Sequence, residues 1–184
     1  STSLGEPFKL SFVNDVLDVH ISPSSSILAA WEKPGKDSEN NWVNNVSLYN
    51  LKTYTKIGDY LATSQQNWKP QFTSDEKYLV NFTSKAQTQL NVYEVPSDFG
   101  DLNLNKKPCA SLVSPTTIST YQISPGQNPS IAIFIPEKNS KPASVKIYQI
   151  NKNLNFNSPI SFKTFFKAER CILKWNILGT ALLA

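Results

Sequence analysis

Hydrophobic residues in this chain fall in short runs separated by turn formers, and the runs recur. An apolar strand, a Ser-Pro or Ser-Asp turn and a second apolar strand appear in Val16-Leu-Asp-Val-His-Ile-Ser-Pro23 with Ile27-Leu-Ala-Ala-Trp31. They appear again in Trp68-Lys-Pro-Gln-Phe-Thr-Ser-Asp75 with Tyr78-Leu-Val-Asn-Phe82, and in Thr120-Tyr-Gln-Ile-Ser-Pro125 with Ile131-Ala-Ile-Phe134. A fourth instance starts at Cys171-Ile-Leu-Lys-Trp175 and runs on to Ala181-Leu-Leu-Ala184. Aligned on the last apolar residue before each turn, the anchors are Ile21, Phe72, Ile123 and Trp175, at spacings of 51, 51 and 52. A repeat of this length carrying about four short strands marks a β-propeller, whose blades take roughly 40–50 residues. The expected fold is therefore all-β and WD40-like, with almost no helix.

The period divides the chain into parts of one propeller domain. Residues 14–64, 65–114 and 115–166 read as blades, 167–184 as the first half of a further blade, and 1–13 as the outer strand of a preceding one, from Phe8-Lys-Leu-Ser-Phe-Val13. The first unit has strand signals near 16–21, 27–31, 46–51 and 55–62. Val46-Ser-Leu-Tyr-Asn-Leu51 alternates as a half-buried strand does. Gln89–Val95 and Ser144–Ile150 repeat that third strand, which puts Tyr49, Tyr93 and Tyr148 at one equivalent position, expected to pack between blades. Two segments break the rhythm: Glu32 to Asn45, a polar loop with Pro34-Gly35, and Pro96 to Pro108, an Asn- and Lys-rich insertion or flexible connection. A propeller that stops at Ala184 would leave apolar strand edges unpaired, so the chain reads as a piece of a longer protein whose open edges promote association.

Composition narrows the class. There is no apolar run of about 20 residues and no signal-peptide pattern, so a soluble, cytoplasmic protein without membrane contact is expected. Cys109 and Cys171 lie in different units without metal-ligand spacing, and read as structural thiols in a reducing compartment. The sequons Asn45-Val-Ser47 and Asn81-Phe-Thr83 carry little weight in an Asn-rich chain. Net charge is +4, but it is unevenly placed. Residues 1–102 hold 8 Lys against 12 acids, a net −4, whereas residues 103–184 hold 10 Lys or Arg against 2 acids, a net +8. Such asymmetry points to an acidic partner, nucleic acid above all.

Catalytic chemistry has little to work with. His20 is the single histidine. It sits inside a strand with Asp18 on the same face, and is expected to be structural. The glycines are isolated turn residues rather than a phosphate-cradling loop, and carboxylate pairs such as Asp75-Glu76 sit in turns. The expectation is a non-enzyme with no catalytic residues, no cofactor and no metal. What remains is the basic stretch from Phe162 to Trp175 with its interleaved aromatics. Strand alternation assigns Phe162, Phe165 and Phe166 mostly to packing and leaves Lys163, Lys167, Arg170 and Lys174 as surface candidates for phosphate contact with RNA or the ribosome.

An ordered set of segments resembles the propeller domain of eukaryotic translation initiation factor 2A. They are Ile21-Ser-Pro23 with Leu28-Ala-Ala-Trp31, Gln66-Asn67-Trp68-x-Pro70, Ile123-Ser-Pro-Gly126 with Ile133-Phe-Ile-Pro136, and Lys163-Thr-Phe-Phe-Lys-Ala168 followed by Leu173-Lys-Trp-Asn176. The resemblance implies a nine-bladed ring of which this chain supplies about three and a half N-terminal-side blades. It implies a non-enzymatic translation initiation factor that promotes delivery of initiator tRNA to the small ribosomal subunit without the usual GTP-dependent carrier. The partners so implied are the small ribosomal subunit, initiator tRNA and mRNA through the intact factor, and other initiation factors. A Lys-rich C-terminal tail of the family, implicated in RNA and ribosome contact, is absent from this chain. The alternative is a protein-interaction propeller, such as the related one in subunit b of initiation factor 3, binding protein rather than RNA.

Overall fold

The computed structural model describes residues 15–62, 65–82, 86–104, 106–151 and 153–184, so the strand expected at 8–13 lies outside the described residues. The apolar runs become strands, and no helix forms among the described residues. Three four-stranded antiparallel sheets follow one another as simple meanders. The first holds β1 (Val16–Ile21), β2 (Ile27–Glu32), β3 (Val46–Asn50) and β4 (Lys56–Tyr60) in that order. The second holds β5 (Gln71–Phe72), β6 (Tyr78–Phe82), β7 (Gln89–Glu94) and β8 (Ala110–Val113). The third holds β9 (Thr120–Ile123), β10 (Ser130–Ile135), β11 (Ala143–Gln149) and β12 (Ser161–Phe165), and β13 (Lys174–Trp175) pairs with β14 (Leu182–Leu183) beyond it. Four-stranded meanders stacked face to face in chain order are the blades of a β-propeller.

The repeat is visible in the hydrogen bonds of the turns. Ser22, Thr73, Ser124 and Asn176 follow the four anchors, and each donates its amide across the turn, to Ile27 O at 2.9 Å, Tyr78 O at 3.0 Å, Ser130 O at 2.8 Å and Ala181 O at 2.9 Å. Each side-chain oxygen accepts a backbone N–H on the far side, from Ile27 at 2.9 Å, Tyr78 at 3.1 Å, Ser130 at 2.8 Å and, for Asn176, Thr180 at 2.8 Å. Short polar side chains suit these corners because they satisfy turn amides that no ladder reaches.

Cores lie between sheets rather than within them. Trp31 stacks on Trp68 at 5.8 Å between the first and second sheets, among Ile27, Val46, Leu48, Leu79 and Tyr93. Ile118, Tyr121, Ile131 and Tyr148 meet Val80, Phe82 and Val92 between the second and third. The first strands of adjacent sheets are also cross-linked. The Gln71 side chain donates to Tyr121 O and accepts from Ile123 N, both at 2.8 Å. The next turns stack so closely that a Cβ on Gly179, at φ +69°, would lie 2.0 Å from Pro125 O.

Both irregular segments are folded where the structure describes them. Within 32–45 an isolated bridge joins Lys36 to Trp42, and the Asp37 carboxylate accepts from the amides of Glu39 and Asn41 at 2.9 Å each. The insertion at 96–108 returns to the outer edge of the first sheet, where Leu102 N donates to Ile57 O at 2.6 Å and Leu102 and Leu104 are buried. Both sequon asparagines are buried as well: Asn45 is 0% and Asn81 2% exposed, so neither amide is open to a glycosylating enzyme in the folded chain.

Candidate nucleic-acid interface

The basic segment leaves the outer rim of the third sheet and crosses to the inner strand of the next unit. Lys163 lies on β12 opposite Val145 of β11, with its side chain exposed. Beyond Phe165 the chain turns, with Lys167 at φ +55°, and is held to the third sheet by Ala168, Cys171 and Leu173, which pack on the cluster of Phe134, Ala143 and Val145. These three inward residues determine which side chains point out. Lys167, Arg170 and Lys174 are exposed between them.

The four cations do not converge on one point. Arg170 and Lys174 line a cleft of about 570 Å³ whose apolar wall includes Phe134, Phe165 and Leu183. Lys167 sits at the loop end, where its N–H donates to Glu137 Oε2 at 2.9 Å while Glu137 N donates to Ala168 O at 3.4 Å. That pairing brings in Lys138 and Lys141, exposed residues of the β10–β11 hairpin whose backbones bond each other in both directions. The sequence pattern gives no sign of them. Glu137, beside them in the hairpin, lies 30 residues from Lys167 in the chain, and only the closure of the hairpin against the segment reveals the association. Lys163 stands apart on the rim.

One expectation about this stretch is corrected. Phe165 packs as expected, but Phe162 is 66% and Phe166 85% exposed. The reason is position: Phe162 is on the outermost strand of its sheet and Phe166 in the connection that follows. Exposed aromatic rings beside cations can stack on bases as well as pack.

The charges are unspent. Salt bridges among the described residues are Lys56 to Asp59 at 2.7 Å and Lys69 to Asp18 at 3.0 Å, both in the acidic half. Glu137 is committed to a backbone amide, and none of the four cations has an ion-pair partner among the described residues. Such surface cations attract phosphate with little desolvation cost.

Burial pushes both cysteine thiols up, away from the thiolate a nucleophile needs, and the Cys109 Sγ–H donates to Val92 O at 3.0 Å. Burial, with Lys69 nearby, lowers the His20 pKa, while Asp18 opposes that shift and pairs with Lys69 rather than with the imidazole. Among the described residues no group of three or more His, Cys, Asp or Glu is placed to hold a metal ion.

No family model matches the chain. It is 38% identical, over 90% of its length, to eukaryotic translation initiation factor 2A of Schizosaccharomyces pombe, and covers 27% of that relative. A crystal structure of a eukaryotic initiation factor superposes with a TM-score of 0.78 at 37% identity, over 91% of this chain and 38% of the other. The β-propeller domain of Cps50 (Swd1) from Myceliophteria thermophila superposes with a TM-score of 0.52 at 9% identity, over 94% of this chain and 48% of the other, a likeness of fold alone. The chain spans about a quarter of the length of the curated relatives it matches.

Proposed function

The chain is a relative of eukaryotic translation initiation factor 2A through 90% of its length, and on that premise we propose that it is part of a cytoplasmic, non-enzymatic propeller scaffold that promotes initiator tRNA delivery to the small ribosomal subunit. In this reading it supplies blades from the N-terminal side of a larger ring. The segment Lys163, Lys167, Arg170 and Lys174, joined by Lys138 and Lys141, contacts RNA. The carrying observation is that these cations are exposed, lack acidic partners among the described residues and flank the bare rings of Phe162 and Phe166. Lysine or arginine on phosphate with a ring free to stack is the usual chemistry of sequence-tolerant RNA contact.

Changing Lys163, Lys167, Arg170 and Lys174 to Glu in the longer factor and titrating it against small subunits tests the surface. Affinity should fall, and the slope of log K against log salt should flatten by roughly 0.7–0.9 for each phosphate that is no longer neutralised. An unchanged affinity and slope would remove this surface from the proposal.

A second reading, a propeller that binds protein, draws on the ordered hairpin at 33–45. It presents Trp42, 49% exposed, with Lys36 Nζ 5.1 Å from the ring centre. Exposed tryptophans on rigid supports are common anchors of protein interfaces. Partner capture that survives nuclease, tolerates salt and disappears in Trp42→Ala favours this reading over RNA contact.

A further inference from the structure

Four Ser-Pro dipeptides occur in the chain, beginning at Ser22, Ser114, Ser124 and Ser158. Three lie at corners between strands, where the serine is buried: Ser22 is 3%, Ser114 5% and Ser124 1% exposed. Their hydroxyl oxygens accept the amides of Ile27 at 2.9 Å, Thr116 at 3.3 Å and Ser130 at 2.8 Å, as serines in turns commonly do. The fourth is set differently. Ser158 is exposed in the connection between β11 and β12, outside any strand, with Pro159 partly exposed beside it. Neither its main chain nor its side chain forms a hydrogen bond with another described residue.

The connection presents this dipeptide between two fixed points. On one side the Phe156 ring packs edge-to-face on Tyr148, with centres 6.3 Å apart, and Asn157 N donates to Asn155 Oδ1 at 2.9 Å. On the other, Ile160 N donates to Ile147 O at 2.8 Å, just before β12 begins. β12 is the outermost strand of its sheet, so no further strand of that sheet covers the residues that follow. A protein kinase closes its cleft over the residues around the acceptor hydroxyl. An exposed connection on the rim permits this, whereas a serine buried at a corner becomes accessible only when the structure opens locally. Proline then supplies the selection. It has a fixed φ and no N–H, so a kinase pocket that leaves the amide after the acceptor residue without a partner accepts proline and disfavours other residues.

We propose that Ser158 is a phosphorylation site of a proline-directed protein kinase. The Ser158 Oγ bonds to the γ-phosphorus of ATP, the bond from that phosphorus to the β-phosphate oxygen breaks, ADP leaves, and the hydroxyl proton passes to the catalytic aspartate of the kinase. The phosphoserine carries about −1.5 to −2 charge at pH 7 where a neutral hydroxyl stood, ahead of the strand that bears Lys163. The site uses none of the cations assigned to RNA contact, so it stands whether or not the basic segment meets RNA.

Incubating the folded full chain with ATP, Mg²⁺ and either a cyclin-dependent or a mitogen-activated kinase, and mapping the phosphopeptides by mass spectrometry, tests it. Ser158 should take up phosphate at least about tenfold faster than Ser22, Ser114 or Ser124, because those three wait on local opening. Ser158→Ala should lose most of the phosphate incorporated by the folded chain. Pro159→Ala, which keeps the hydroxyl and its exposure, should lower phosphorylation of Ser158 sharply, and thermal melts establish that both variants are folded. The absence of phosphate at Ser158 with both kinases would overturn the proposal. So would equal rates at the three buried serines of the folded chain, or phosphorylation of Ser158 that is indifferent to Pro159→Ala.

Discussion

His20, Gln71, Gln122 and Lys174 occupy one register position, immediately before the anchors Ile21, Phe72, Ile123 and Trp175. At that position Gln71 reaches two backbone groups of the next inner strand, which an imidazole, with one donor and one acceptor set across a rigid ring, matches less well. Burial and Lys69 hold the folded pKa of His20 below its ordinary 6.5, against the opposing pull of Asp18. The unfolded chain then binds a proton where the folded chain does not. Stability from this group is complete above the ordinary value and declines as pH falls through it towards the lower folded value. His20→Gln should therefore abolish part of the fall in melting temperature between about pH 7.5 and pH 5. Parallel melting curves for the two proteins across that range would show that His20 does not carry the effect. The turn side chains Ser22, Thr73, Ser124 and Asn176 were legible beforehand because they act on amides a few residues away. The environment of Asn81 was not, since the sequence shows a sequon and only the packing of two sheets shows a buried amide whose Oδ1 has no partner among the described residues.

Among the elements, the long strands were readable from alternation and the short ones only roughly. β5 forms at Gln71–Phe72 although the apolar signal begins at Trp68, because Pro70 has no N–H to give a ladder. β13 is likewise reduced to Lys174–Trp175, since Cys171 and Leu173 are drawn into the core beside the third sheet. The insertion at 96–108 gave no periodic signal at all. Its apolar residues Leu102 and Leu104 are buried, and Phe99 partly so, against a sheet some 40 residues upstream, and such burial has no local signature. Its contact with β4 depends on Gly58, where a Cβ would lie 2.3 Å from Leu102 O. Leu102→Ala should cost about 2–4 kcal/mol in denaturant unfolding. Gly58→Ala should cost about 1–3 kcal/mol and raise amide exchange across 100–104, because the insertion must lift from the strand to admit the methyl group. If Gly58→Ala leaves stability and exchange unchanged, the insertion is not clamped there.

At the scale of the whole molecule, the two ends of the stack of sheets carry exposed apolar side chains. Leu17, Val19 and Ile21 are 49–51% exposed at one end, and Ile172, Ile177, Leu178 and Leu183 are 70–89% exposed at the other. Apolar sheet faces without a neighbour favour association. This chain alone should sediment as concentration-dependent oligomers, and Val19→Lys with Leu183→Lys should shift it towards monomer. A wild-type monomer at all concentrations would contradict this. The sequence by itself determined the kind of molecule: a period of 51 or 52 residues with turn formers at fixed offsets specifies repeated four-stranded units, because each unit's strands and corners follow from local alternation and local hydrogen bonding. It also located the concentration of positive charge in residues 103–184. Only the tertiary structure decided which charges and rings share a surface, bringing Lys138 and Lys141 to Lys167 and baring Phe162 and Phe166. Those relations arise where one sheet packs against another or a loop folds back, between residues far apart in the chain, and no local pattern of residue types records them.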